Sequence, residues 1–294
     1  MATAYILFNK LAGNADSLAL AKNLETTIPD TAKLLDVTEI SDYPAFLARL
    51  DKDDYIILAG GDGTLNRFAN NVADLDLTHE VLYFPSGTGN DFAHDLGRTT
   101  ADTPFSVTEH IRNLPSVTVK GNSYRFINGV GYGIDGYCCQ VGDEQKKQQN
   151  KKVNYTAIAI KGLLFHYKPT TATVTVDGTT TTYKKAWLAP TMNGRFYGGG
   201  MMPTPDQVRD CGTLSTMVFH GSGKLKTLII FPSLFKGAHV KHTKHVAVLN
   251  GKEISVAFDR PVALQVDGET ILDVSSYTAK AAAVPQASVA SIAH

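Results

Sequence analysis

Tyr55-Ile56-Ile57-Leu58-Ala59-Gly60-Gly61-Asp62-Gly63-Thr64 is the stretch whose reading decides the fold. An apolar run of strand length empties into glycines, an acid and a hydroxyl, which is the composition of a loop built to receive phosphates. Glycines let the backbone turn tightly and bring N–H groups up to an anion, and a helix that follows points its positive end at the same place. Asp62 beside bound phosphates is repelled unless a cation bridges the charges, so the loop points to ATP with Mg²⁺ rather than to free phosphate.

Working outward, strand-like and helix-like stretches alternate through the first 120 or so residues. Ala4 to Phe8, Ala32 to Val37, Tyr55 to Ala59 and Glu80 to Pro85 read as strands. Asp16 to Ile28, Tyr43 to Leu50 and Leu65 to Val72 read as helices between them. That order predicts a parallel α/β layer, whose ligands bind beyond the carboxyl ends of the strands. Asn9, Thr38, Gly60 and Ser86 each stand just past such an end. A second phosphate-type loop, Phe84-Pro85-Ser86-Gly87-Thr88-Gly89-Asn90-Asp91-Phe92-Ala93, follows the next strand. Either loop alone reads equally as a helix cap or tight turn; two on successive strands are harder to dismiss. Asp91 to Leu96 reads as a helix, and Val107 to Val119 completes this unit.

From Ser123 the pattern turns β-rich, with strands expected over 124–128, 172–176, 180–190, 212–220, 246–249, 253–258 and 262–266 and helices near 154–167 and 225–235. The fold class is therefore an α/β N-terminal nucleotide-binding domain with a parallel sheet, followed by a C-terminal antiparallel β-sandwich domain with a few helices. The boundary is placed near Gly121-Asn122, giving units 1–122 and 123–278. The tail 279–294 reads either as frayed or as a last strand through Val289 to Ile292 that returns to the first unit.

Other features carry less chemistry. Gly129-Val130-Gly131-Tyr132-Gly133-Ile134-Asp135-Gly136 contains a GxGxxG match, but no acid stands about twenty residues on and the surroundings read as β-rich, so close backbone approach at a domain junction explains it better. Cys138, Cys139 and Cys211 show no CxxC spacing; the adjacent pair reads as structural thiols on opposite faces of a strand. Lys146 to Lys152 reads as a solvated helix start or loop, with contact to anionic headgroups as the sharper alternative. His239, His242 and His245 recur every three residues without a carboxylate or cysteine, which favours a wet basic loop over a zinc tract. Spacing alone makes Val266-Asp267-Gly268-Glu269 a hairpin turn with surface acids.

Lys plus Arg and Asp plus Glu number 28 each, so no global field draws nucleic acid. The first residues lack the basic start of a secretory leader, and no apolar run is long enough to span a bilayer. With no disulfide pattern, a cytoplasmic location is expected.

The set as a whole resembles the diacylglycerol kinase catalytic family, the bacterial soluble lipid kinases related to sphingosine and ceramide kinases. The resemblance rests on GGDGT at 60–64, PSGTGNDFA at 85–93, GVGYGIDG at 129–136, NGRFYGGG at 193–200 and VDGE at 266–269. It implies an ATP- and Mg²⁺-dependent kinase acting on a lipid hydroxyl, diacylglycerol first among candidates, with the nucleotide on the first domain and the headgroup between the two. GGDGT alone also occurs in NAD kinases, so a soluble NAD kinase-like enzyme remains an alternative, as does a lipid- or nucleotide-binding regulator that has lost turnover. The resemblance assigns Asp267 as general base, with Asp62 and Glu269 in support. It assigns Asn9, Lys10, Gly13, Thr38, Gly60, Gly61, Asp62, Gly63, Thr64, Asn66, Gly87, Thr88, Asn90 and Asp91 to the nucleotide, and Asp62, Asp91 and Asp210 to metal. Two positions depart from the family: Arg67 stands where it carries an acid, and Cys211 where it carries the second Asp of DDG. The protein is expected to work peripherally at the inner face of the membrane, and a homodimer is the default assembly.

Overall fold

The computed structural model describes residues 2–10, 16–87, 89–100, 103–149 and 153–283. Gly13, Thr88, the end of the Lys146–Lys152 run and the expected tail strand at 289–292 lie outside the described residues.

The first unit is a five-stranded sheet in the order β2-β1-β3-β4-β5. Its strands are β1 (Thr3–Phe8), β2 (Thr31–Asp36), β3 (Tyr55–Gly60), β4 (Val81–Pro85) and the short β5 (Phe105–Ser106). β1 to β4 are parallel and β5 closes the edge antiparallel. β1 and β3 carry apolar side chains on both faces because helices cover both: Leu7, Ile56 and Leu58 join one core cluster, Ala4, Ile6 and Ile57 the other. The connecting helices are α1 (Asp16–Glu25), α2 (Tyr43–Leu47), α3 (Asp62–Val72), α4 (Asp91–Asp95) and α5 (Thr108–Arg112). The strand order reverses at β1, so the ends of β1 and β3 flank the switch point at which α/β sheets bind ligands.

The second unit is a ten-stranded antiparallel sheet folded as a sandwich. In chain order it contains β6 (Ser116–Val119), β7 (Asn122–Arg125), β8 (Gly129–Tyr132), helix α6 (Ile134–Gln149) and helix α7 (Tyr155–Lys161) with a π turn at Gly162–His166. There follow β9 (Thr170–Val176), β10 (Thr179–Ala186), β11 (Thr191–Met192), β12 (Leu214–Phe219), helix α8 (Lys224–Ile230) and a 3-10 segment Phe231–Lys236. β13 (Val246–Gly251), β14 (Glu253–Val266) and β15 (Glu269–Lys280) complete it. The two strands expected at 253–258 and 262–266 are one, β14, interrupted by a register shift between Ala257 and Val262 that contains Pro261. Proline has no N–H to give a ladder, so the strand bends there. Its first half pairs with β9 and its last three residues with β8, which lets one strand serve both layers.

Three expectations give way. The stretch 107–119 does not complete the first sheet: β6 pairs antiparallel with Tyr277–Lys280 of β15, and its Val117 and Val119 are buried in the second core. Cys138 and Cys139 lie on α6, not a strand, since the glycine-rich run ends in a helix once Gly133 takes φ 106°. Close backbone approach does explain those glycines: a Cβ on Gly133 would stand 2.6 Å from Trp187 O, and one on Gly136 would run into the Ala263 carbonyl. His239 is fully buried, with Nε2 2.8 Å from Pro203 O, so it belongs to the core rather than a wet loop.

Candidate active site at the junction of the two units

The two glycine loops pack backbone on backbone. Ser86 N–H donates to Gly60 O at 3.0 Å and Asp62 N–H donates to Gly89 O at 3.0 Å. A Cβ on Gly61 would lie 2.7 Å from Gly89 O, and one on Gly87 would collide with the Gly61 backbone, so both positions need glycine for contact. Gly63 differs: it stands in the first turn of α3 at no unusual φ, and among the described residues no atom approaches its Cβ position within 4 Å. No side chain caps that helix end, whose N-cap is Gly61. An open glycine at an uncapped helix N-terminus is a cradle that a phosphate can enter closely.

Asp62 ties the loops together. Its carboxylate accepts from Asp91 N at 2.7 Å and Phe92 N at 3.1 Å, capping α4. Burial and the neighbouring charge of Asp91 push its pKa up to about 6. Asp91 is itself buried and raised by that burial, while its carboxylate accepts from Gly199 N and Gly200 N of the second unit at 2.8 and 2.7 Å. Two neighbouring buried carboxylates, one of them raised by the charge of the other, suit a divalent cation that also touches phosphates. Among the described residues no group of three or more ligating side chains exists, so the protein would supply only these carboxylates and the nucleotide the rest.

Asp267 arrives from the other unit. Val266 pairs with Glu269, leaving Asp267 and Gly268 as a two-residue hairpin turn at φ 44° and 96°, both positive as a type I′ turn requires. The turn reading therefore holds, and it does not conflict with an inward-facing carboxylate. The turn aims the carboxylate inward, where it accepts from Asn128 N and Gly129 N at 2.9 Å, from Ile127 N at 2.5 Å and from Asn66 Nδ2 at 2.7 Å. Burial raises its pKa despite these donors. Asn66, on α3, thus joins the glycine loop to Asp267 directly.

The remaining residues divide. Asn90 Nδ2 donates to Gly87 O at 2.7 Å and fixes the second loop. Thr64 is buried beneath Gly60. Asn9 and Thr38 lie past β1 and β2, but Lys10 is held at 3.0 Å by both Asp36 and Glu39, and Thr38 donates to Asp36. Glu269 is not on the inward face: it is mostly exposed and stands 3.9 Å from Arg67. Asp210 is not brought to Asp62 and Asp91 but accepts from His110 at 2.6 Å, while Cys211 is exposed.

Sequence reasoning missed a buried network that locks the units together. Asp95 of α4 accepts from Arg195 Nε at 2.8 Å and from Arg209 Nε at 2.9 Å; Asp95 and Arg209 are almost fully buried. Arg209 also lies 4.7 Å above the Phe92 ring and donates to Asn128 Oδ1 at 2.9 Å. The available signal was Asp95 one turn beyond Asp91 on the same short helix, facing the same side.

Residues 3–120 match the Diacylglycerol kinase catalytic domain, and residues 128–289 match the YegS C-terminal NAD kinase beta sandwich-like domain. A protein named "Putative lipid kinase" from Staphylococcus aureus (strain Mu3 / ATCC 700698) is 28% identical over 231 residues, covering 75% of this chain and 72% of its own. The crystal structure of "a putative diacylglycerol kinase" from Bacillus anthracis str. Sterne is similar over 95% of this chain and 91% of that one, with a TM-score of 0.67 at 21% identity. A further diacylglycerol kinase structure from the same organism covers 95% and 94% with a TM-score of 0.64 at 22% identity; at such identities the likeness is one of fold. Together the two matches span most of the chain, from the glycine loops through the β-rich unit, and the chain belongs to the diacylglycerol kinase catalytic family.

Proposed function

We propose that this protein is a lipid kinase that transfers the γ-phosphoryl of ATP to a lipid hydroxyl, diacylglycerol giving phosphatidic acid. The observation that carries the reading is the Asn66–Asp267 hydrogen bond, which sets a carboxylate from the second unit against the phosphate-type loop of the first. In this reading Asp267 accepts the proton of the lipid hydroxyl as its oxygen forms a bond to the γ-phosphorus and the bond to the β-phosphate oxygen breaks, releasing ADP. The positive end of α3 meets the phosphates at Gly63, whose open side lets them approach. Asp62 and Asp91 would hold Mg²⁺, which when bound neutralises charge on the transferring phosphates. Asn66 and the N–H groups of Ile127, Asn128 and Gly129 orient the base. Glu269 lies too far out to share its proton and instead balances Arg67 at the rim.

The test is a mass-spectrometric screen of phosphorylated products from purified protein, ATP and Mg²⁺ with diacylglycerols, sphingoid bases, ceramide and NAD. Phosphatidic acid is the expected product. NADP formation, or no phosphorylated lipid at all, would overturn the proposal.

A further inference from the structure

Far along the chain from the glycine loops, the second unit exposes apolar side chains that its own core does not use. Leu225 and Ile229 are 76% and 75% exposed, one turn apart on α8, while Thr227 and Ile230 of the same helix are buried. Phe165, in the π turn after α7, is 73% exposed. Lys224 Nζ donates to Leu164 O at 2.7 Å, which sets the start of α8 against the π turn that carries Phe165. Ile160 of α7 and Phe235 of the 3-10 segment are also exposed, at 44% and 42%.

The segments that carry this face are one-sided in charge. Residues 153–176 and 211–252, which contain both helices, hold eight lysines and neither Asp nor Glu, in a chain whose charges balance overall at 28 and 28. Lys161, Lys224, Lys226 and Lys236, all exposed, flank the apolar residues. A soluble surface does not gather this much exposed hydrocarbon without a partner. A second copy seated on it about a two-fold axis would set lysines against lysines, whereas an anionic bilayer offers hydrocarbon for the apolar residues and negative headgroups for the ring.

We propose that this face, formed by the π turn after α7 and by α8 with its 3-10 extension, docks the protein on an anionic lipid bilayer. The inference rests on the lipid-kinase reading for its purpose, but docking itself needs neither ATP nor turnover. Phe165, Leu225 and Ile229 enter the acyl boundary and the lysines remain at headgroup level.

The test is co-sedimentation of the protein, without nucleotide, with vesicles of phosphatidylglycerol and phosphatidylcholine or of phosphatidylcholine alone. The wild type is expected to sediment with the anionic vesicles and to release at high salt. Leu225→Gln with Ile229→Gln, and separately Lys226→Gln with Lys236→Gln, are expected to weaken partitioning by about tenfold each. Both variants are expected to keep the wild-type melting temperature and to retain activity on a short-chain diacylglycerol soluble as monomers. Wild type that ignores anionic vesicles, variants that bind as well as wild type, or a wild-type dimer that the Leu225/Ile229 variant splits would each overturn the proposal. A protein that docks but phosphorylates no lipid would leave it standing and sink the kinase reading instead.

Discussion

At the scale of single residues, two carboxylates carry the proposed chemistry and its pH dependence. Asp267 accepts four hydrogen bonds, yet burial wins and raises its pKa. Its removal as Asp267→Asn is predicted to lower turnover by about 10² to 10⁴ with ATP affinity retained, checked by calorimetry beside steady-state rates. Asp62, raised from 3.8 to about 6, is the more visible titration. Below pH 6 it takes up a proton and no longer favours a cation, so kcat/KM is predicted to fall as pH drops through about 6. Stability runs the other way. The folded state binds this proton more tightly than the unfolded chain, so the contribution is complete below about pH 4 and is lost as pH rises through 6. A shift of about two units is worth roughly 3 kcal/mol, and the weaker acceptor that an amide offers to Asp91 N and Phe92 N subtracts on the order of 1 to 2. Asp62→Asn is therefore predicted to be inactive and more stable than wild type by about 1 to 2 kcal/mol at pH 7 in urea unfolding. An equal or lower stability would mean that the ionised carboxylate is not penalised there.

At the scale of elements, the glycines of the loops are unequal. Gly87→Ala sets a methyl against the Gly61 backbone and is predicted to cost about 2 kcal/mol or more in unfolding midpoint. Gly63→Ala meets no described protein atom and gains up to about 1 kcal/mol of helix propensity, so it is predicted to fold at least as well while weakening ATP binding about tenfold or more. This difference was not legible in the two motifs, where all the glycines look alike. What was legible is the order of elements: β3 and β4 fall where continuous apolar runs meet glycine, because a strand buried on both faces leaves an unmistakable signature. The hairpin at Asp267-Gly268 was legible too, since Asp-Gly between apolar runs satisfies two positive φ values. That the same turn carries an inward carboxylate was not, because burial of Asp267 depends on N–H groups some 140 positions earlier.

At the scale of the whole molecule, the proposed active site lies where the two units meet, and side chains hold that meeting. Asp95, Arg195 and Arg209 come from three separate stretches, and opposite charges a hundred residues apart cannot be paired by reading along a chain. The reading that 107–119 completes the first unit failed at 116–119 for the same reason, since β15, the partner of β6, lies near the far end of the described chain. Arg209→Ala leaves Asp95 with only the partly exposed Arg195 and is predicted to cost about 3 to 5 kcal/mol in urea unfolding, with a loss of activity that includes the lost pull of the Arg209 charge on Asp267. The central claim is that Asp267 of one unit and the glycine loop of the other form a single phosphoryl-transfer site for a lipid hydroxyl. Its most direct test is single-turnover transfer of label from γ-labelled ATP to diacylglycerol at saturating nucleotide, for wild type and Asp267→Asn. The account predicts label on phosphatidic acid from the wild type and a rate lower by at least about a hundredfold from the variant. Equal transfer by both proteins, or label that never reaches a lipid, would contradict it.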